Sequence, residues 1–447
     1  MDPFQNEKPV GFFQSNTAKM IMVGMLTLVL LIPLQLVKGL ISERAERQDE
    51  VISETTGKWG ESVYFYGPVI KVPYKTYDEK VTVNEQTKVA TTEKTATTQY
   101  AYFFPNALNN TSAVTTKVLK RSNYESVVFT SKMQFSGNYT APDFSSQNIP
   151  SDAVQWDKAT ILIKTTNLKS IKDEVKISIG ESAHAFQPVY SEKTDSLQSL
   201  ETGFIDARQF FGKTSTPFKF NITYDGSRQI RIVPIGKTTT AKMASNWASP
   251  SFMGGYLPGD DKKISDKGFD ANWKVLEINR PFAQQSFGVL PDLSQYAFGV
   301  DFIIPVNEYQ QNERASKYGF LVVGLTFLVF FLIQSISKIK IHIFQYTMIG
   351  LALIMFYTLL ISITEHSSFM SAYLIATAAV VLLISLYSKS IMKNAKFPTF
   401  IGLSLTALYG FIYVIIQLEN YALLFGSIGL FLILSAVMYF SRKIDWN

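Results

Sequence analysis

The sequence predicts a membrane protein with three parts: an N-terminal transmembrane anchor, a large mostly-β extracytoplasmic domain and a C-terminal bundle of five transmembrane helices. Three observations predict it. Six apolar stretches are long enough to cross a bilayer, and Lys and Arg gather on one side of them. The long polar segment between the first and second stretches alternates with the period of a strand. Averages conceal this layout, because 47% apolar and 17% charged residues over 447 positions is an ordinary globular composition.

A hydrocarbon core about 30 Å thick needs about 20 apolar residues in a helix. The anchor takes residues 20–41, and its apolar run at 20–37 is interrupted only by Pro33 and Gln35. A cleaved signal peptide is the alternative. The run is long for that role, and Leu36-Val37-Lys38-Gly39 offers no small-x-small cleavage site. Five more spans follow at 318–336, 344–363, 369–387, 399–417 and 421–440, joined by short loops into a unit over 318–440.

Basic residues in short loops orient the spans. With the N-terminus inside, Lys8, Lys19, Lys338, Lys340, Lys389, Lys393, Lys396, Arg442 and Lys443 are all inside, and the outer short loops 364–368 and 419–420 hold no Lys or Arg. Tails 1–19 and 441–447 are then cytoplasmic, and 42–317 form the outer domain. Arg44, Arg47, Arg314 and Lys317 fall outside, but they flank a long translocated domain, where the bias has little force.

The same distribution explains the basic pI of about 9.0. The outer segment is nearly neutral, and the net charge of +6 resides mainly beside the C-terminal spans. A nucleic-acid partner is therefore excluded, and the lipid bilayer is the expected one. No cysteine is present, which excludes thiolate metal sites, cysteine nucleophiles and disulfides. The outer domain must rely on its own core, and a segment of that size supplies one.

Within 42–317, Val127, Phe129, Met133 and Phe135 alternate with polar residues, as do Val175, Ile177 and Ile179. Phe218, Phe220, Ile222 and Tyr224 repeat the pattern, and Asp225-Gly226 then predicts a tight hairpin turn toward Ile230 and Ile232. A sandwich or two packed sheets follows from these runs. The Thr- and Lys-rich stretch 81–98 reads as exposed strands or an insertion. Trp247, Phe252, Phe269 and Trp273, interleaved with Gly and Pro, form a candidate cleft, though aromatics equally fill cores.

Catalytic motifs are lacking. Gly212-Lys213-Thr214 and Gly236-Lys237-Thr238 resemble the end of a phosphate-binding loop, but the first glycine of that motif would fall on Ala207 and Arg231. Three histidines, His184, His342 and His366, leave no HExxH, and no Gly-x-Ser-x-Gly elbow occurs. No catalytic residue, cofactor or metal is assigned. The sharpest polar features near the spans are Glu365-His366 after the third and Glu419 after the fifth. At a membrane boundary such groups reach water, so a solvated cap competes with an ion-linked role. Before the second span, Glu308 to Tyr318 suggest a helix running into the membrane, with Glu313 and Lys317 placed for a local ion pair and Arg314 beside them.

Several of these residues match a known pattern. Gly299-Val300-Asp301-Phe302 with Pro305-Val306, Tyr309, Arg314 and Lys317-Tyr318 resembles the pre-membrane signature of the CreD family of bacterial inner-membrane proteins. Ile341-His342, Gln345-Tyr346, Glu365-His366, Ala372-Tyr373, Leu408-Tyr409-Gly410 and Arg442-Lys443-Ile444-Asp445-Trp446 continue the resemblance, as do Arg121, Trp247, Gly268-Phe269 and Trp273. It implies a bacterial inner membrane, a role in cell-envelope integrity within a stress regulon, colicin tolerance and, in some bacteria, β-lactam responses. It implies no enzymatic activity, so none is expected.

The leading expectation is a non-enzymatic inner-membrane protein whose outer domain senses, binds or scaffolds an envelope component. A transporter or channel accessory using Glu365, His366 and Glu419 is the alternative. A third reading, acid–base chemistry by Glu365 and His366, suffers because adjacent helical residues point about 100° apart.

Overall fold

The computed structural model describes residues 16–83, 90–121, 124–190, 197–208, 215–304, 308–337, 339, 341–391, 396–418 and 421–442. Glu419, the motif at 212–214, and Lys8, Lys338, Lys340, Lys393 and Lys443 lie outside the described residues. The chain divides into two compact units, Val51–Pro305 and Met1–Glu50 with Val306–Asn447.

Helix α1 runs from Asn16 to Trp59. It extends well past the anchor expected at 20–41, because its polar half carries its own helical support. Arg47 pairs with Glu50 at 2.8 Å and Lys58 with Glu54 at 2.7 Å, at three- and four-residue spacing.

Sixteen strands follow, beginning with β1 (Val63–Val83), β2 (Ala90–Phe103), β3 (Ala107–Arg121) and β4 (Tyr124–Tyr139). Next come β5 (Thr160–Thr165), β6 (Lys176–Ile179), β7 (Ser182–Val189) and β8 (Gln198–Thr202). After these are β9 (Thr216–Ser227), β10 (Gln229–Ile232), β11 (Thr238–Ser245) and β12 (Pro250–Gly254). The last four are β13 (Lys263–Ser265), β14 (Gly268–Leu276), β15 (Gln285–Phe287) and β16 (Phe298–Phe302). They form one hydrogen-bonded ladder in the order β12-β16-β10-β1-β5-β8-β7-β6-β9-β4-β3-β11-β14-β13, with β2 and β15 branching from β1.

This ladder folds over on itself into two layers. Phe65 of β1 stacks on Phe135 of β4 with ring centroids 4.2 Å apart, and Phe129 of β4 meets Phe302 of β16 at 5.0 Å. Alternation places Val127, Phe129, Met133, Phe135, Ile177, Ile179, Phe218, Phe220 and Ile222 in the shared core. The expected sandwich is therefore present. Of the stretch at 81–98, residues 81–83 end β1 and 90–98 begin β2, where Lys94, Thr95, Ala96 and Thr98 are exposed.

The hairpin expected at Asp225-Gly226 is not formed. Both residues lie inside β9, opposite Thr130 and Phe129 of β4. β10 instead pairs with β1 in parallel and with β16. Packing outweighs turn preference here: the position of a Cβ on Gly226 is 2.6 Å from the ring of its cross-strand neighbour Phe129 and 3.0 Å from Val63 of β1, so only glycine admits both contacts. Asp225 is buried, accepts from the Thr130 hydroxyl at 2.6 Å and pairs with Lys172 at 2.5 Å. The chain leaves the strand at Arg228, whose φ is 62°.

In the other unit, α2 (Glu308–Lys317) is followed by α3 (Gly319–Ser337), α4 (Ile343–Thr364), α5 (Phe369–Ile391), α6 (Lys396–Gln417) and α7 (Ala422–Ser441). Among the described residues, α1 and helices α3 to α7 are the six that are long and apolar enough to cross a membrane. Leu30 of α1 fills the space left beside Gly350 of α4. Ala372 and Ala376 are fully buried small positions on α5. His342 and Gln345 cap α4: the His342 N–H donates to Gln345 Oε1 at 2.8 Å and His342 Nδ1 accepts from the Phe344 N–H at 3.2 Å. The helix expected before the second span is present as α2, but it does not continue into that span. A turn at Tyr318 separates α2 from α3.

Candidate functional site

At the C-terminal end of α4, the structure joins three polar elements of the helical unit. Glu365 follows Thr364 at the helix end and lies 3.5 Å from the Arg44 guanidinium of α1. The Thr364 hydroxyl donates to Leu360 O at 2.6 Å and reaches Asn312 Oδ1 of α2 at 3.4 Å. Asn312 is fully buried, and its amide nitrogen has no hydrogen-bond partner. It belongs to an α2 stripe of Tyr309, Asn312, Ala315 and Ser316, so α2 is held by burial of one face.

His366 does not join this cluster. It is exposed and follows Glu365 on a turn, while Glu365 engages α1. The pair therefore converges on no common point. Arg314 is half-buried on α2, and Lys317 pairs with Glu313 at 3.2 Å, as its spacing predicts. Arg44 and Asn312 were invisible as partners because their neighbours are distant in sequence.

Three of the four aromatics of the candidate cleft, Phe252, Phe269 and Trp273, come together as packing. Phe252 meets Phe269 and Trp273 edge-on at 5.8 Å each, and Trp273 packs on Phe298 at 5.5 Å. Phe269 and Trp273 are buried in the sandwich core. Trp247 packs against that core and donates from Nε1 to Ser249 O at 3.0 Å. The rings fill the interlayer space.

The sandwich does contain a polar cavity of about 390 Å³, and the strand register builds it. Val63 and Phe65 of β1 and Ile230 and Ile232 of β10 face the core, so Tyr64, Tyr66 and Arg231 face the other way. Register sets Tyr64 beside Arg231, and Tyr66 beside Lys164 of β5. The segment holding Pro291, Asp292 and Ser294 lines the opposite wall. It is tied down by the Tyr66 hydroxyl, which donates to Pro291 O at 3.1 Å.

Two donors packed behind this wall lack acceptors. Tyr64 Oη and Arg231 Nε are buried without hydrogen-bond partners. The acceptor of the Arg231 guanidinium, a thioether at Met253 Sδ 3.7 Å away, is a weak one. Burial first, then the charge of Asp292, raises the Tyr64 phenol against the opposing pull of Arg231, so Tyr64 remains protonated. One Asp292 oxygen already accepts from the Ser294 N–H at 2.9 Å. Asp301, diagonal to Arg231 on β16, is raised by burial, with Arg231 and Arg228 opposing the shift. Sequence patterning signalled this site only faintly: an arginine stands between the core residues Ile230 and Ile232.

A second cavity of about 960 Å³ lies among α3, α6 and α7. Its walls are hydrocarbon apart from a few hydroxyls and Lys396, and the orphaned Thr326 hydroxyl alone selects no ligand. Among the described residues, no cluster of His, Cys, Asp or Glu is able to hold a metal ion.

Comparison with known proteins agrees with the helical layout. A solved structure from Parabacteroides distasonis with a provisional protease description shares 5% identity over 57% of this chain and 50% of that one. Its TM-score of 0.25 carries no argument. Inner membrane protein CreD of Escherichia coli (strain K12) is 26% identical over 424 residues, covering 94% of this chain and 91% of that protein. The family model described as "Inner membrane protein CreD" matches residues 15–447. The chain thus belongs to the CreD family of multi-pass inner-membrane proteins.

Proposed function

We propose that this protein supports cell-envelope integrity during envelope stress, with the β domain outside the cytoplasmic membrane binding an envelope component. Family membership supports the inner membrane, and the distribution of Lys and Arg supports cytoplasmic termini. The observation that carries the binding role is the polar cavity lined by Tyr64, Lys164, Arg231 and Asp292, in which Arg231 has no carboxylate partner among the described residues. A concave site with a few convergent polar groups suits a small ligand.

The test is complementation under envelope stress of a strain lacking the protein. Arg231→Met should fail to restore growth at normal protein levels, and full restoration would overturn the binding role. A phosphatase reporter inserted near Ser215 should be active only outside the cytoplasm. A transport role is the second reading, favoured by the buried Asn312 amide beside Thr364 and by the Arg44–Glu365 pair.

A further inference from the structure

We infer that the apolar cavity among α3, α6 and α7 is a phospholipid site, which takes the acyl chains of one lipid from the leaflet beside the start of α6. The site lies in the helical unit and does not depend on the binding role of the β domain.

Helix α7 shows how the cavity is made. It is apolar, yet none of its residues from Ala422 to Ser441 is buried. Its glycines meet α6 near the start of α7: a Cβ on Gly426 would lie 3.8 Å from Ile415 Cδ1, and one on Gly429 would strike the Phe411 ring. From these contacts to Phe440, a space of about 960 Å³ lies between α7 and the walls of α3 and α6. Hydrocarbon walls offer water few partners, and walls left bare lose dispersion contacts, so chains of the surrounding lipid fill the space.

Length selects the occupant. The lining runs from Leu325 to Ser337 on α3 and from Lys396 to Phe411 on α6. At about 1.5 Å per residue these walls are about 18–22 Å long, more than half but less than all of a hydrocarbon core about 30 Å thick. A spanning helix of a second copy would need a groove through the whole core, whereas this one ends at Phe411. An acyl chain entering from one leaflet needs only the length present.

Polarity sets the direction. Short loops joining α3 to α6 through α4 and α5 put the end of α3 and the start of α6 on one membrane face. Ser337 and the exposed Lys396 stand there, and from Phe400 to Phe411 the α6 wall is hydrocarbon apart from Ser404. The headgroup therefore lies at Lys396 and the chains point toward Phe411. In the orientation proposed above, this is the cytoplasmic leaflet.

Native mass spectrometry of the full chain in detergent tests this. The protein should retain one phospholipid after extensive delipidation. Ser404→Trp combined with Ala436→Trp places indoles in the lining and should abolish that retention at an unchanged melting midpoint. In cells fed a fatty acid with a photoreactive group near its methyl end, labelling of the wild-type chain should be several-fold stronger at Leu408 and Ile428 than at exposed Leu374 and Leu383 of α5. If the double variant does not fold, this labelling decides. Equal labelling of Leu374 and Leu383, no retained lipid, full retention by a folded double variant, or a retained isoprenoid mass in place of phospholipid would overturn the inference. So would a dimer that the double variant abolishes, which would give the cavity to a second copy.

Discussion

Arg44 on α1 and Glu365 at the end of α4 face each other at 3.5 Å, the guanidinium half-exposed and the carboxylate mostly covered. Their separation of more than three hundred residues makes this a tertiary contact. A partly solvated pair at this distance contributes at most about 1 kcal/mol. Glu365→Gln should therefore leave thermal stability in detergent almost unchanged. If Glu365→Gln and His366→Ala both complement fully, transport through these groups is excluded; loss of function at normal protein level would support it.

Asp225 carries more. It is buried in β9 and holds both Thr130 and Lys172. Asp225→Ala should cost about 1–3 kcal/mol, read as a lowered unfolding midpoint, because the Thr130 hydroxyl loses its buried partner.

Gly226→Ala should destabilise by about 1–3 kcal/mol. The added methyl would meet the Phe129 ring and Val63, both in the core. A stable alanine variant would mean that the layers open more easily than this packing allows.

Phe252→Ala and Trp273→Ala test whether the aromatic cluster is core. Each should cost about 3–5 kcal/mol of stability. Loss of ligand binding with unchanged melting would instead restore the cleft interpretation.

His184 offers a pH test. Burial lowers its pKa below the ordinary value near 6.5. The unfolded chain then takes up its proton before the folded one does. Stability contributed through this group is complete above the ordinary value and is lost as pH falls through it toward the lowered one. His184→Gln should reduce the loss of thermal midpoint between neutral and mildly acid pH. An unchanged acid slope would contradict the assignment.

Much of the architecture was legible because its causes are local. The runs from Met20 to Val37 and Tyr421 to Phe440 announce helices whose backbone must satisfy itself in lipid. Alternation through Val127, Phe129, Met133 and Phe135 announces a strand with one buried face. The Glu313–Lys317 pair was legible for the same reason, since four residues on a helix make neighbours.

Asp225-Gly226 shows where that logic stops. The dipeptide favours a turn by itself, yet the approach of Phe129 and the pairing with β4 hold it extended. The aromatics at Phe252 and Trp273 were read as packing or as a cleft, and their spacing alone did not show that the two rings meet.

By itself, the sequence determined the six long apolar helices and the β character of the domain, because each depends on neighbours within a few positions. Only the tertiary structure decided that Tyr64, Lys164, Arg231 and Asp292 share one cavity and that Arg44 meets Glu365. Strand register and helix packing bring together residues far apart along the chain, and no periodicity within a single segment encodes which distant segment will lie beside it.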